Sequence, residues 1–288
     1  MGIGVVSSVQ GRGILPEDHP ASLAAYNLQK PVEAFYASVD GLLVVGSRLR
    51  SNETLTYKLS LPERRWRIDA DAAAQGRAYS DECFVQGDAQ LTLDALADAL
   101  QGRLALDPAY AQDLREVRTQ AEALVDGTLG PYVALKQAVQ TQVGPELWWV
   151  RDITLSNTMW GNRGPLLNHP RAGVHALGGG IGQGLAMGIG VAIANAEHGL
   201  GRKTVVLSGD GGFMLNVGEL ACAVQERADL LVLLMNDARY GVIRNIQDAV
   251  YGSRHCYVDL VHPQFQAFCA SFGVPYFRAA EPDRKSVV

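Results

Sequence analysis

Two short clusters of glycine and oxygen-bearing residues are the part of the sequence best suited to chemistry. The first is Gly209-Asp210-Gly211-Gly212 and the second is Asn236-Asp237. Carboxylate, amide and carbonyl oxygens are the ligands that Mg²⁺ prefers, so Asp210, Asp237 or Asn236, and a backbone carbonyl near Arg239 form a suitable set. The amide N–H groups of glycines can hold phosphate oxygens. The sequence therefore predicts a site for magnesium and a phosphate-bearing ligand.

The elements that precede the clusters are predicted to bring them together. Residues 203–208 and 230–235 are continuous apolar segments typical of buried parallel strands, and residues 217–227 between them have a helical composition. A strand-helix-strand unit of this kind is right-handed, and ligands bind beyond the carboxyl ends of its strands. We therefore expect both clusters to face one cavity.

The spacing of the clusters is more specific than either cluster alone. Gly-Asp-Gly by itself is most often an ordinary turn. Here 24 residues separate Gly211 from Asn236, and the whole segment resembles the signature of thiamine-diphosphate-dependent enzymes. The resemblance implies thiamine diphosphate and Mg²⁺ as cofactors, with the metal held by Asp210, Asp237 and the backbone oxygen of Arg239. Asp237 stands where the family usually has a second Asn, so we expect a more anionic metal site.

A glycine-rich segment, residues 176–190, is the second notable motif. No register satisfies Gly-x-Gly-x-x-Gly, because the last position falls on Leu185 or Met187. The segment resembles the one that precedes Gly-Asp-Gly in the branch of benzoylformate decarboxylase and acetolactate synthase. That resemblance implies that Ile181 supports the bent cofactor and that the Gly179 carbonyl accepts from its 4′-amino group. Close helix packing is the other reason for so many glycines.

Hydroxyl and amide side chains also follow a predicted strand at residues 147–155. The family binds the diphosphate in this region, which implies a cofactor role for Ser156 and Asn157, although such residues also simply cap helices. Trp160, Asn162, His169 and His175 are nearby, but single residues of these types more often serve packing than catalysis.

The resemblance extends over nearly the whole chain, through residues 10–20, 43–50, 68–71 and 87–88. It predicts an α/β protein with two doubly wound parallel-sheet domains: an N-terminally incomplete central domain at 1–103, a helical connector at 104–146, and a diphosphate-binding domain at 147–288 that is incomplete at its C-terminus. Further predicted elements are strands at 1–9, 42–46, 66–69 and 274–277, and helices at 91–100, 178–196 and 263–272. Residues 279–288 are charged and without pattern.

Composition narrows the class of protein. Of 288 residues, 48% are hydrophobic and 19% charged, which fits a globular α/β protein rather than a disordered one. The net charge of −5 disfavours nucleic acid as a partner. No segment is predicted to cross a membrane or direct secretion, and the four cysteines form no Cys-x-x-Cys pair, so we expect a cytoplasmic protein with reduced thiols.

The resemblance also implies parts that this chain does not contain. The family has a pyrimidine-binding domain, which carries the glutamate that activates the cofactor, so no catalytic residue can be assigned here. We expect that domain to come from another chain or gene, and a homo-oligomer when the chain is complete. The implied reaction is decarboxylation of a 2-oxoacid, with release of an aldehyde or transfer of the two-carbon unit to a second carbonyl.

Two other classes of function remain open from the sequence. A catalytically inactive, truncated cofactor-binding module would bind thiamine diphosphate without turnover. A nicotinamide-dependent dehydrogenase is disfavoured, because the glycine-rich segment lacks the dinucleotide-binding register.

Overall fold

The computed structural model describes residues 2–279, and the chain divides into two units, Met1–Leu124 and Val125–Val288. The division falls within a helix at Tyr110–Gly127. The domain limits predicted at 103, 104–146 and 147 stay predictions. The charged tail at 279–288 lies almost wholly outside the described residues.

A three-stranded parallel sheet organises the first unit. After helix α1 (Lys30–Tyr36), strand β1 (Leu42–Val45) pairs with β2 (Arg65–Asp69), and β2 pairs with β3 (Cys83–Gln86). Helix α2 (Ala89–Leu100) begins at Asp88, whose side chain accepts the amide of Leu91 at 3.0 Å. The predictions for β1, β2 and α2 are confirmed within two residues.

The predicted N-terminal strand at 1–9 is wrong. In its place there is an isolated parallel bridge between Val5 and Ser22, made by two backbone bonds of 2.8 Å. The next loop is held by a fully buried ion pair, in which Arg12 donates to Glu17 at 2.6 Å. The pairing of residues 2–9 stays at a single bridge, because the partner segment leaves the extended conformation at Ala24, where φ is +46°.

A four-stranded parallel sheet organises the second unit. After helices α3 (Tyr110–Gly127) and α4 (Tyr132–Ala138), its strands are β4 (Leu147–Arg151), β5 (Gly173–His175), β6 (Lys203–Gly209) and β7 (Leu230–Met235), in the spatial order β5-β4-β6-β7. The prediction of two parallel α/β sheets is confirmed. The predicted strand at 147–155 is too long, because β4 ends at Arg151.

The order of these strands creates a topological switch point. The chain passes from β4 to β5 on one side, then returns to β6 on the other side of β4 and continues to β7. Where the strand order reverses, the connections leave in opposite directions and open a crevice beyond the carboxyl ends of the strands. The crevice here lies after β4 and β6.

Helices α5 (Gly184–Glu197), α6 (Asp210–Leu215), α7 (Leu220–Gln225), α8 (Gly241–Val250) and α9 (Phe265–Ser271) complete the described part of the second unit. The predicted helix at 178–196 starts six residues too early, since Gly178, Gly179 and Gly182 have positive φ. The helix predicted at 263–272 is confirmed as α9. The strand predicted at 274–277 is wrong, because those residues form neither strand nor helix, and Pro275 has no N–H for a ladder.

A hydrophobic cluster joins α5, α6, α7 and α9. Its buried members are Leu185, Ile189, Phe213, Leu220, Ala223 and Phe265. The cluster anchors the first turns of α5 and α6, which both begin at the crevice. No helix within residues 2–279 is both long and apolar enough to cross a membrane.

Candidate functional site

The two predicted clusters lie next to each other at the carboxyl edge of the second sheet. Gly209 pairs in register with Met235, so Asp210 follows β6 at the level where Asn236 follows β7. Asp210 is buried, and Asp237 is exposed. Although Asp237 as a whole is exposed, partial desolvation of its carboxyl raises the pKa of this group, and the neighbouring carboxylate of Asp210 raises it further. The two carboxylates are therefore close enough to repel each other.

The turn after β7 brings a backbone carbonyl to the same edge. The Asn236 side chain accepts the amide of Ala238 at 3.2 Å, and Ala238 has φ +54°. Arg239 then faces Asp259 in an antiparallel bridge, made by Tyr240 N–H to Val258 O and Leu260 N–H to Ala238 O. Neither bond uses the carbonyl of Arg239 itself.

The glycines of the first cluster are sterically required. A Cβ on Gly211 would lie 2.4 Å from the ring of Tyr240, and one on Gly212 would lie 2.9 Å from a carboxylate oxygen of Asp152. A Cβ on Gly209 would lie 3.0 Å from Thr154 Oγ1. Real Cβ atoms essentially never approach within 3.0 Å, so the backbone requires glycine at Gly211 and Gly212, whereas at Gly209 a Cβ would only press tightly against Thr154.

His262 is a site residue that sequence reasoning missed. Its Nε2 lies 2.7 Å from Oδ2 of Asp210, and both side chains are nearly buried. The two residues lie 52 positions apart, and the sequence between them has no spacing pattern that indicates this contact. Across residues 2–279, no group of three or more His, Cys, Asp or Glu side chains is arranged to hold a metal. The predicted metal set, with two carboxylates and one carbonyl, is of a different composition.

The glycine-rich segment forms a fixed loop before α5. Residues Leu177–Gly179 form one 3₁₀ turn, and the side chain of Gln183 spans it, accepting from Leu177 N–H and donating to the carbonyls of Leu177 and Gly180. Ile181 remains 38% exposed. A Cβ on Gly179 would have nothing within 4 Å. The predicted contact residues Gly179 and Ile181 are therefore accessible on the loop surface.

Asp152, the residue immediately after β4, is also missing from the predicted set. It is fully buried, and its carboxylate accepts from Gly182 N–H at 3.1 Å, Gly184 N–H at 3.1 Å and Ser208 Oγ at 3.3 Å. A single side chain thus connects β4, β6 and the glycine-rich loop. The sequence gives no reason to single it out from other aspartates at strand ends.

Comparison with known families decides the class. Residues 156–287 match the thiamine pyrophosphate enzyme C-terminal TPP-binding domain, and residues 1–96 match the central domain of the same enzymes. The chain belongs to the thiamine pyrophosphate enzyme family.

Curated members of the family show the same relationship. The chain is 32% identical over 246 residues to a probable 2-ketoarginine decarboxylase of Pseudomonas aeruginosa. The aligned region covers 83% of this chain and 42% of that protein. It is 27% identical over 299 residues to a chloroplastic acetolactate synthase of Arabidopsis thaliana, covering 97% and 44%. The chain spans less than half the length of these relatives.

Of the two residues predicted by family resemblance after β4, Asn157 faces inward. It is buried, at 6% relative exposure, and a Cβ added to Gly161 would lie 2.9 Å from its Oδ1 and 2.6 Å from Leu207. Ser156 directly precedes the π-helical turn Asn157–Gly161 and makes no side-chain cap bond. Thr154 of the same loop lies against Gly209, where an added Cβ would meet its Oγ1 at 3.0 Å. Cofactor binding by Ser156 and Asn157 stays a prediction.

Trp160, Asn162 and His169 make side-chain contacts within the second unit. The rings of Trp149 and Trp160 lie 5.6 Å apart, and Asn162 Oδ1 accepts from Arg151 at 2.7 Å. His169 packs edge-on against Trp148. His175 forms the end of β5.

Two features of the second unit fit a magnesium-bound diphosphate of the kind this family uses. Asp210 and Asp237 repel each other, and a divalent cation between such carboxylates would relieve that repulsion. The steric restriction to glycine at Gly211 and Gly212 keeps side chains away from the backbone where phosphate oxygens would bind.

Proposed function

We propose that the chain binds Mg²⁺ and thiamine diphosphate as part of an enzyme that decarboxylates a 2-oxoacid. One observation carries this proposal: at the carboxyl edge of β6 and β7, the buried carboxylate of Asp210 lies close to the carboxyl of Asp237 and raises its pKa. The closely packed glycines of Gly209-Asp210-Gly211-Gly212 lie at the same edge. This edge adjoins the topological switch point, where α/β sheets bind ligands.

The residues divide into three roles. Asp210, Asp237 and the carbonyl of Arg239 hold the metal. The amides of Gly209, Gly211 and Gly212 hold the diphosphate, with Ser156 and Asn157 as the predicted contributors from the loop after β4. Gly179 and Ile181 contact the aminopyrimidine side of the cofactor. When bound, thiamine diphosphate supplies the electron sink that lets a 2-oxoacid lose CO₂.

The groups in this chain bind and orient, and none is assigned as the proton donor that activates the cofactor. We propose that a pyrimidine-binding domain from another chain or gene supplies the glutamate that activates the cofactor, and that the enzyme is a homo-oligomer. The relatives named 2-ketoarginine decarboxylase and acetolactate synthase indicate 2-oxoacids as the substrate class. Release of an aldehyde and transfer to a second carbonyl are both compatible with this reaction.

Calorimetric titration of the purified chain with thiamine diphosphate, with and without Mg²⁺, tests the binding proposal. We expect Mg²⁺-dependent binding by the wild type and its loss in Asp210→Ala. Asp229→Ala is the matched control, because Asp229 is an exposed aspartate just before β7 in the same unit. Wild type that does not bind, or Asp210→Ala that binds equally well, refutes the assignment.

Assays with pyruvate and 2-ketoarginine, with and without an added pyrimidine-binding domain, separate an enzyme component from an inactive binding module. CO₂ release that appears only with the added domain supports the enzyme. Binding without turnover under every combination supports the inactive module.

A further inference from the structure

A buried carboxylate lies at the topological switch point and takes no part in the proposed metal set. Asp152 follows β4 directly and is fully buried. Burying a carboxylate is costly unless hydrogen bonds satisfy its oxygens. The contacts that satisfy Asp152 therefore indicate what holds it there.

Its donors come from three separate segments. Oδ1 accepts the amide of Ile153 at 2.7 Å, and both oxygens accept the amide of Gly182 at 3.1 Å. Oδ2 also accepts the amide of Gly184 at 3.1 Å and the hydroxyl of Ser208 at 3.3 Å. The three amide partners are N–H donors, and the Ser208 hydroxyl lies within reach of both Asp152 Oδ2, at 3.3 Å, and the carbonyl of Gly209, at 3.2 Å.

Asp152 also stabilises the start of a long helix from outside that helix. Gly184 is the first residue of the 14-residue helix α5, whose preceding residue Gln183 makes no side-chain cap bond. A carboxylate that accepts from the first amides of a helix satisfies unpaired N–H groups and interacts favourably with the helix dipole. The contact fixes where the glycine-rich loop ends and α5 begins.

The surrounding glycines set the distance of approach. A Cβ on Gly184 or on Gly212 would lie 2.9 Å from an atom of Asp152. Gly212 belongs to the cluster proposed to bind the diphosphate, and Gly184 is the first residue of α5, directly after the glycine-rich loop. Asp152 therefore contacts both segments, which also approach each other directly, since a Cβ on Gly212 would lie 3.2 Å from the backbone nitrogen of Gly182.

The loop is held at the residue next to Ile181. Gly182 donates its N–H to Asp152, and its carbonyl accepts from Asn216 Nδ2 at 2.6 Å. Because the Gly182 N–H belongs to the peptide plane that joins Ile181 to Gly182, the bond to Asp152 holds the backbone directly after Ile181. Asn216 follows α6, so the same loop is tied to the helix that Asp210 starts.

We propose that Asp152 is a positioning residue that holds the glycine-rich loop, with Gly179 and Ile181, at a set distance from the diphosphate-binding glycines. The part of this inference that concerns the cofactor rests on the proposed function. Asp152→Asn is the informative change because a carboxamide has one acceptor oxygen. Whichever way the carboxamide is turned, its NH₂ group replaces an oxygen that accepts from a backbone N–H. That N–H then faces another donor and has no acceptor.

Hydrogen exchange of the ligand-free chain, followed by mass spectrometry, tests the anchoring alone. We expect Asp152→Asn to accelerate exchange about tenfold in peptides that cover 177–187, with no change in peptides that cover β7. Unchanged exchange at 177–187, or equal acceleration everywhere, overturns the proposal. If Asp152→Asn does not fold, Ser208→Ala is the second variant, because it removes a hydroxyl near Asp152 Oδ2 without adding volume. We expect it to accelerate exchange at 177–187 less than Asp152→Asn would, and unchanged exchange there counts against the proposal.

Binding of two probes tests the link to the cofactor. Mg²⁺ with pyrophosphate reports on the diphosphate-binding glycines, whereas Mg²⁺ with thiamine diphosphate also requires the loop. We expect the ratio of the two affinities to fall about tenfold in Asp152→Asn, with pyrophosphate binding largely kept. An equal loss for both probes indicates a purely structural role and overturns the positioning role. Wild type that binds neither probe refutes the proposed function instead, and the exchange comparison still decides the anchoring.

Discussion

The Nε2 of His262 lies 2.7 Å from Oδ2 of Asp210, in a contact that is almost closed to solvent. A metal ligand that is hydrogen-bonded by a neighbouring side chain keeps its orientation, and loss of such a partner commonly weakens metal binding 10–100-fold. If Asp210 binds Mg²⁺, His262 is therefore expected to orient it from the side of α9.

Replacing His262 by Ala should lower the apparent Mg²⁺ affinity in thiamine diphosphate titrations about tenfold, with binding restored at high Mg²⁺. His255→Ala is the matched control, because His255 lies equally close to Asp248, at 2.7 Å, but on an exposed surface. The control should leave Mg²⁺ dependence unchanged. Equal effects of the two changes contradict the orienting role.

Asp237→Asn should stabilise the ligand-free chain at neutral pH. The raised pKa means that folded Asp237 keeps its proton to higher pH than the unfolded chain does, so stability is lost as pH rises through the folded pKa. Removing the charge should raise the melting temperature at pH 7 by about 1–2 °C, and the gain should vanish in acid, where the wild-type carboxyl is protonated.

Asp248→Asn is the control of opposite sign. Hydrogen bonds from Ser253 and then from His255 lower the pKa of Asp248. Its carboxylate therefore contributes stability above the ordinary pKa of an aspartate, and that stability is lost as pH falls through the folded value. Thermal melts of both variants across pH should show changes of opposite direction at pH 7. A fall in melting temperature for Asp237→Asn would count against carboxylate repulsion at the site.

Gly211→Ala should weaken Mg²⁺-dependent binding by displacing the turn that carries Asp237 and Arg239. The added Cβ would meet the ring of Tyr240 at 2.4 Å and Leu260 at 3.1 Å, and the backbone of Tyr240 anchors the bridge at this turn. We expect about a tenfold loss of affinity, measured by calorimetry. Gly218→Ala, where an added Cβ meets nothing within 4 Å, should bind like wild type. Normal binding by Gly211→Ala would show that the turn adapts.

The sequence predicted those elements whose pattern is local. Strands β6 and β7 are continuous apolar segments followed by polar turns, and the two clusters were placed correctly because parallel pairing needs only the order of the elements. Strand β5 was missed because its three residues are set by pairing with β4, with Trp149 opposite Gly173. Consecutive glycines at 178–180 are the feature that could have corrected the start of α5.

Asp152 and His262 show why part of the site could not be predicted. Asp152 binds residues 30 and 32 positions away, and His262 binds one 52 positions away. Both contacts depend on packing of elements that lie far apart in the chain, which no periodicity or spacing records. A residue type at a strand end predicts a position in the sheet but not its tertiary partner.

Two glycines of α5 give opposite predictions for stability. A Cβ on Gly188 would lie 2.3 Å from Val206 of β6, whereas one on Gly190 would meet nothing within 4 Å. Gly188→Ala forces the helix away from the sheet and should cost about 1–3 kcal/mol.

Gly190→Ala, by contrast, should stabilise the chain by about 0.5–1 kcal/mol, because alanine loses less backbone entropy than glycine in a helix. Denaturant unfolding followed by tryptophan fluorescence measures both changes, since Trp148, Trp149 and Trp160 lie in the second unit. Because α5 begins at the loop that Asp152 holds, Gly188→Ala should also shift the loop and reduce thiamine diphosphate binding, while Gly190→Ala should not. Destabilisation by Gly190→Ala would contradict the entropy argument at that position, and unchanged stability in Gly188→Ala would contradict close packing of α5 on β6.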